Sequence, residues 1–99
     1  MNGTEWEFDD KPNTAVIANR KIISDGQWIA YVSHDDDDGI WQFHTSQTEL
    51  LSEENAIVLS LQNIVMIDHS ITYLADLPRG WCAWRNSVND PWEKYKLSE

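Results

Sequence analysis

Basic residues, glycine, proline and cysteine are all scarce in this sequence. Its 99 residues include 7 Lys and Arg against 17 Asp and Glu, 4 Gly, 3 Pro and a single cysteine, Cys82. One cysteine excludes an internal disulfide and suits a reducing compartment. So few glycines provide poorly for a phosphate-binding loop, and no nucleophile-elbow or metalloprotease motif is present. We therefore expect a protein that is not an enzyme and that holds no cofactor or metal.

The shortage of basic residues also restricts the class of partner. The net charge of −10 repels phosphate, which argues against nucleic acid and against an anionic membrane surface. The acidity is uneven, because residues 1–55 hold 12 acidic and 3 basic residues, whereas residues 56–99 hold 5 and 4. A basic protein partner is favoured, since complementary fields speed encounter. The alternative is that the acidity serves solubility alone.

Length and hydropathy indicate one small domain. We assign residues 1–13 to an acidic N-terminal leader that Trp6 and Phe8 can dock, residues 14–92 to the domain, and residues 93–99 to a C-terminal tail. The N-terminus lacks a basic region followed by an apolar run, and no apolar stretch approaches the length of a membrane span. We expect a cytoplasmic location.

Short apolar runs predict strands in the first half of the chain. Residues 15–18 form one such run, which Ile22 and Ile23 resume. The Asp25-Gly26 pair then predicts a hairpin leading into a second strand at residues 27–33.

A tract of four aspartates interrupts this pattern. Four adjacent carboxylates repel one another and disfavour a strand, so residues 34–39 are predicted to form an exposed loop. A strand resumes at residues 40–45, with Trp41 and Phe43 on one face and Gln42 and His44 on the other. His44 is therefore expected at the surface.

The second half combines strand and helix signals. Residues 49–53 favour a helical turn, and residues 56–59 a strand. Ser60 and Asp68 can each cap a short helix, and residues 80–85 form a last strand on which Trp81 and Trp84 face opposite sides. The order predicts an α+β domain: an antiparallel sheet of about five strands with one or two short helices on one face.

Two chemical readings of these residues remain alternatives. An EF-hand alignment that puts Gly39 at the sixth loop position places Asp36 and Asp38 correctly but puts His34 and Thr45 at the end positions, which calcium sites give to carboxylates. A hydrolase would need two convergent carboxylates, or Cys82 beside a histidine, in an apolar pocket. The flanking Trp residues instead favour Cys82 as a small buried side chain.

Several segments together carry a family resemblance. They are the apolar strand at 15–18, the isoleucine pair before the Asp-Gly turn at 22–26, the Tyr-bearing strand at 28–32, the acidic loop running into a Trp-x-Phe strand at 38–43, the helical stretch at 68–74, and the segment 76–85 with Pro91-Trp92 after it. Over residues 14–92 the chain resembles the immunity protein 33 family of bacteria. It departs from the family at Ser33-His34 and at Gly39-Ile40.

The resemblance implies an immunity protein that neutralises a cognate toxin by stoichiometric binding. With the acidity, it favours a basic toxin domain as the partner. The alternative is a small-molecule or metal-binding regulatory domain. The expected contact residues are the loop carboxylates and two aromatic anchors, namely Asp35, Asp36, Asp37, Asp38, Trp41 and Trp84.

Overall fold

The computed structural model describes residues 6–46, 48 and 51–97. Within them the chain forms one six-stranded sheet and three short helices, so the α+β class is confirmed. The strands are β1 (Ala15–Asn19), β2 (Tyr31–His34), β3 (Trp41–His44), β4 (Ala56–Ser60), β5 (Trp81–Trp84) and β6 (Glu93–Lys96). The helices are α1 (Arg20–Ser24), α2 (Leu61–Ile67) and a 3₁₀ helix (His69–Leu74). Residues 49 and 50 of the predicted helical turn lie outside the described residues.

The sheet is mixed rather than antiparallel throughout. Its strand order is β4-β1-β3-β2-β5-β6, and β1 runs parallel to β3 while the other neighbouring pairs are antiparallel. A parallel pair needs a long crossover, which α1, β2 and their loops supply here. The predicted antiparallel sheet of about five strands is therefore correct for most of the pairings, but not for the one between β1 and β3.

The prediction of a hairpin at Asp25-Gly26 is wrong, because residues 20–24 form the helix α1 and do not continue the strand. Asn19 caps this helix, and its side-chain oxygen accepts a hydrogen bond from Lys21 N at 2.9 Å. Ile22 turns into the core, and Gly26 follows the helix with a φ of 69°, which glycine adopts without strain. As a result β1 pairs with β3 and β4 and does not contact β2 as a neighbour.

The two predicted helix caps at Ser60 and Asp68 are confirmed. Ser60 Oγ accepts a hydrogen bond from Asn63 N at 3.1 Å and starts α2. Asp68 Oδ1 accepts one from Ser70 N at 3.0 Å and starts the 3₁₀ helix. Both caps satisfy backbone donors that the first helical turn leaves free.

The hydrophobic core lies on one face of the sheet, which we call the covered face. The strand residues of this face are Val16, Ala18, Val32, Trp41, Phe43 and Ala83. The residues that cover them come from the N-terminal segment, the helices and the loops, and include Phe8, Ile22, Ile29, Leu61, Ile64, Ile71, Leu74 and Leu77. The helices thus pack on one face, as predicted. The opposite face, which we call the open face, carries Ser33, Gln42, His44 and Cys82.

The segments at the two ends of the domain are both attached to it. The Phe8 ring is buried and meets the Trp41 ring edge-on, with 5.3 Å between centroids. The indole N–H of Trp41 donates to the Asp10 carboxylate at 2.8 Å. Within the described residues the leader is therefore docked through its aromatic side chains. Residues 93–96, predicted as part of a tail, form β6 against β5.

Candidate protein-binding surface

The aspartate loop between β2 and β3 is closed by its own hydrogen bonds. Asp35 N donates to Ile40 O at 2.9 Å, and Gly39 N donates to Asp35 O at 3.1 Å. The Asp38 carboxylate accepts from Ile40 N at 3.0 Å, and the Asp35 carboxylate accepts from the Gln42 side chain at 2.7 Å. The loop is exposed at Asp36, Asp37 and Asp38, as predicted, and the hydrogen bonds of its own side chains shape it.

The carboxylates of this loop do not converge. Asp36 and Asp37 are exposed, and the Asp36 side chain lies toward Gly80 on the neighbouring segment. Among the described residues there is no group of three or more His, Cys, Asp or Glu side chains arranged to hold a metal ion. The loop thus presents separate charges to solvent.

Arg79 joins the aspartate loop to the segment before β5. A Cβ atom built on Gly39 would lie 2.7 to 2.9 Å from the Arg79 guanidinium, so the guanidinium rests directly on this glycine. Gly39 has a φ of 74°, which also favours glycine. The backbone conformation therefore favours glycine at this position, whereas the close approach alone does not require it, because the Arg79 guanidinium ends a flexible side chain that can move.

A second group of carboxylates lies beside Arg79. Asp9, Asp10 and Asp76 line a cavity of about 360 Å³ together with Arg79 and His34. The two aspartates of the N-terminal segment reach this place because Phe8 and Trp41 hold the segment against the covered face.

His34 lines this cavity together with Trp41. Its ring stacks on Trp41, with 3.9 Å between centroids and 13° between planes. Its Nδ1 lies 2.7 Å from the Leu77 carbonyl oxygen, so Nδ1 carries a proton and donates it. The stacking and the hydrogen bond fix the ring in position. Nε2 is the second polar atom of the imidazole.

The two groups of carboxylates form one surface, which we call the acidic end. Arg79 contacts the aspartate loop and also lines the cavity beside the second group, so the groups are contiguous. The acidic end consists of Asp9, Asp10, Asp35, Asp36, Asp37, Asp38 and Asp76. Its members come from three segments that are distant in sequence. Only the loop was predicted; the other three aspartates reach it through tertiary packing.

Tyr73 stands beside the acidic end and was not singled out from the sequence. It is 75% exposed and lines a shallow groove with Glu7, Asp9 and Asp76. The sequence offered one indication of its exposure: Ile71 and Leu74 are the residues that this helix buries, and Tyr73 does not share their side of the helix. An exposed tyrosine bordered by carboxylates has the character of an interface anchor.

Neither of the two predicted aromatic anchors is an exposed contact at the acidic end. Trp41 is 2% exposed, so the structure corrects its expected role as a surface contact: it is a core residue that positions Asp10 and His34. Trp84 is partly buried on the open face, opposite Tyr31. It lies at the end of β5 remote from Gly80 and so does not belong to the acidic end. Trp81, on the other face, packs partly buried against the core.

Arg85 organises the Trp-rich segment around itself. It is 4% exposed, and its guanidinium donates to the Asp68 carboxylate at 2.7 Å. It also donates to Ser70 Oγ at 3.0 Å and, through Nε, to the Ile29 carbonyl oxygen at 2.9 Å. The Trp92 ring covers it at 4.3 Å from the ring centroid. The cluster connects β5, the 3₁₀ helix and the loops on either side, and its charge is compensated internally.

Cys82 and His44 sit on the open face without forming a nucleophile pair. Cys82 is buried and free, as expected, and pairs across the ladder with Ser33, while His44 pairs with Tyr31. His44 is 6% exposed, so its predicted surface position is wrong: the tilted Tyr31 ring covers it at 5.1 Å. Burial raises the pKa of the Tyr31 phenol above its usual value, and hydrogen bonding with Cys82 and Tyr95 adds to this.

A cavity of about 620 Å³ lies on the other side of Tyr73. Its lining includes Arg85, Trp92 and Lys94. Lys94 also donates to the Asp76 carboxylate at 3.0 Å, so an ion pair joins the lining of this cavity to the acidic end.

Comparison with family models, curated proteins and solved structures finds no match to this chain. In the part of the chain that the structure describes, no helix has the length and apolar character needed to cross a membrane.

Proposed function

We propose that this protein is a binding module for a basic protein, in the manner of a bacterial immunity protein that neutralises a cognate toxin in the cytoplasm. The observation that carries the proposal is the convergence of aspartates from three segments at the acidic end. A toxin domain is named as the partner because segments of the sequence resemble the immunity family; no family model matches the chain, so the acidic end alone carries the binding role.

The electrostatics of the acidic end favour a cationic partner. Asp76 pairs with Lys94, but the Asp76 side chain is 84% exposed, so the pairing is weakened by solvent. Asp36, Asp37 and Asp9 are exposed carboxylates close to other carboxylates. Lysine or arginine side chains from a partner would relieve this repulsion and accelerate encounter. Tyr73 would supply an aromatic contact at the border of the charged area.

The test uses the protein encoded next to this chain's gene as the candidate partner. We expect stoichiometric binding, rescue of growth on co-expression, and slower association for the double variant Asp36→Asn/Asp37→Asn. The association rate of the wild type should fall steeply between low and high salt, and that of the variant less steeply.

The matched control is the double variant Asp25→Asn/Asp90→Asn, which removes two exposed carboxylates outside the acidic end. It has the same net charge as the loop variant. Equal association rates for the two variants would show that net charge alone matters and would refute the acidic end as the contact surface. Absence of binding and of rescue would refute the immunity role.

The cavity of about 620 Å³ favours a second candidate function, binding of a small molecule by a regulatory domain. Its volume lies within the range of ligand pockets, and Trp92, Tyr73 and Lys94 offer aromatic faces and a positive charge. A thermal-shift screen against metabolites and metal ions tests this candidate. A saturable rise in melting temperature that Lys94→Ala abolishes would favour it over protein binding.

A further inference from the structure

The two edge strands of the sheet, β4 and β6, differ in how they present their outer side. β6 carries Glu93, Lys94 and Lys96, charged side chains of the kind that discourage further strand pairing. β4 has the sequence Ala-Ile-Val-Leu-Ser, with no charge and no proline. An uncharged edge strand rich in β-formers is the kind that accepts another strand.

The ladder with β1 determines which backbone groups of β4 point outward. The antiparallel ladder extends at one end through a hydrogen bond of 2.6 Å from Arg20 N to Asn55 O. Because bonded and non-bonded pairs alternate in such a ladder, Ile57 and Leu59 bond to β1. The remaining residues of the strand, Ala56, Val58 and Ser60, direct their N–H groups away from the sheet, and Ala56 and Val58 also direct their C=O groups outward. The Ser60 C=O accepts the first hydrogen bond of α2, which Ser60 caps.

Val58 is the centre of this outer edge. Its side chain is 69% exposed on the open face. In the described part of the chain its outward N–H and C=O groups have no backbone partner. Ile57 and Leu59, on the covered side, are only partly buried. The edge therefore combines free backbone groups with apolar side chains on both faces.

We propose that β4 pairs with β4 of a second copy of this chain, antiparallel and about a twofold axis at Val58. In this register Val58 faces Val58 of the second copy and exchanges both backbone hydrogen bonds with it. Ile57 faces Leu59 of the second copy, and Ala56 faces Ser60. Every side chain meets an uncharged one, so the strand is complementary to itself, as a twofold interface requires. The two sheets become one continuous sheet.

The four charges of the aspartate loop do not oppose this contact, because the loop is remote from β4. The aspartate loop joins β2 and β3, and β3 is separated from β4 by β1. At about 4.8 Å per strand, the two loops of a dimer lie roughly 25–30 Å apart across the sheet, and the twofold axis sends them to opposite ends. The Debye length at physiological salt is about 8 Å, so their repulsion is screened. The contact is independent of the function proposed for the acidic end and leaves the aspartate loop accessible in both copies.

Sedimentation velocity across a concentration series tests the proposal. We expect the wild type to shift from 11.5 kDa toward twice that mass as concentration rises. Val58→Lys places a charge on the edge without disturbing a buried site, and it should remain monomeric. Val58→Thr, which keeps a β-branched side chain, should still dimerise.

Val88→Lys is the matched control, since Val88 is also an exposed valine, at 56%, but lies in the loop between β5 and β6. It should dimerise like the wild type. Amide hydrogen exchange provides a readout that does not depend on a variant: the outward N–H of Val58 should become protected as concentration rises. A wild type that stays monomeric at several hundred micromolar, or equal dimerisation of the two lysine variants, would overturn the proposal.

Discussion

The Arg85 cluster and the acidic end use charge in opposite ways. Arg85 is buried, and its guanidinium is bonded to Asp68, to Ser70 and to a backbone carbonyl, with Trp92 over its face. The acidic end holds charges of one sign in solvent, with Arg79 between its two groups. A charge that is compensated within the fold holds elements together, whereas exposed charges of one sign are available to a partner. This contrast predicts that changes in the two regions separate stability from binding.

The largest effect is expected at Arg85. Replacing it in Arg85→Met leaves the partly buried Asp68 carboxylate without its partner and should lower the free energy of unfolding by about 3–5 kcal/mol. Urea denaturation measures this. The control, Arg79→Met, removes the same group from an exposed position and should change stability far less. Equal losses for both variants would contradict the contrast between the two regions.

A somewhat smaller loss is expected at Phe8, which belongs to the segment that carries Asp9 and Asp10. Phe8→Ala empties a buried site against Trp41 and should cost about 3 kcal/mol. The control Val88→Ala truncates an exposed side chain and should be nearly neutral. If Phe8→Ala were also neutral, the segment would not hold two of the acidic-end carboxylates in place.

A more modest, pH-dependent effect is expected at His44. Burial lowers the pKa of His44 below its usual 6.5, while the nearby Asp35 charge opposes part of that change. The unfolded chain therefore binds a proton near pH 6.5 that the folded chain still excludes, and stability falls as the pH decreases through this range. His44→Gln should flatten the fall in urea midpoint between pH 7 and pH 5. His69→Gln, at an exposed histidine, should leave it unchanged.

The smallest effect on stability is expected in the aspartate loop. Asp36→Asn/Asp37→Asn removes exposed carboxylates that repel one another, so the urea midpoint should stay the same or rise slightly. Salt should narrow any difference from the wild type. A clear loss of stability would mean that these carboxylates support the fold, and it would weaken their assignment to binding.

Local signals in the sequence predicted the elements better than their arrangement. Three such signals act within a few residues, so the structures they form could be predicted from the sequence. They are the apolar run at β4, the capping side chains of Ser60 and Asp68, and the repelling aspartates of the loop. Ile22 shows the limit. An isoleucine pair favours a strand by propensity, yet the Asn19 cap and burial of Ile22 produce a helix.

The site was predictable only in the part that is contiguous in sequence. The aspartate loop was identified because its four charges are adjacent. Asp10 joins the acidic end because its carboxylate accepts a hydrogen bond from the indole of Trp41, a core residue. The alternation of apolar and polar residues in β3 did not reveal this contact, because Asp10 is distant in sequence. His44 was misplaced for a related reason: alternation puts it on the open face, but the Tyr31 ring covers it there. Such contacts depend on strand order, which the pairing of β1 with β3 determines.

That parallel pairing also constrains how the chain can assemble during synthesis. β1 leaves the ribosome before β2, β3 and β4, yet both of its neighbours in the sheet, β3 and β4, follow later in the chain. Until residue 60 has emerged, an inner strand of the sheet has an unpaired side, and its apolar residues Val16 and Ala18 lack the cover that α2 supplies. Contacts of this sequence separation slow folding. We expect the nascent chain to become resistant to protease only after β4 and α2 have left the ribosome.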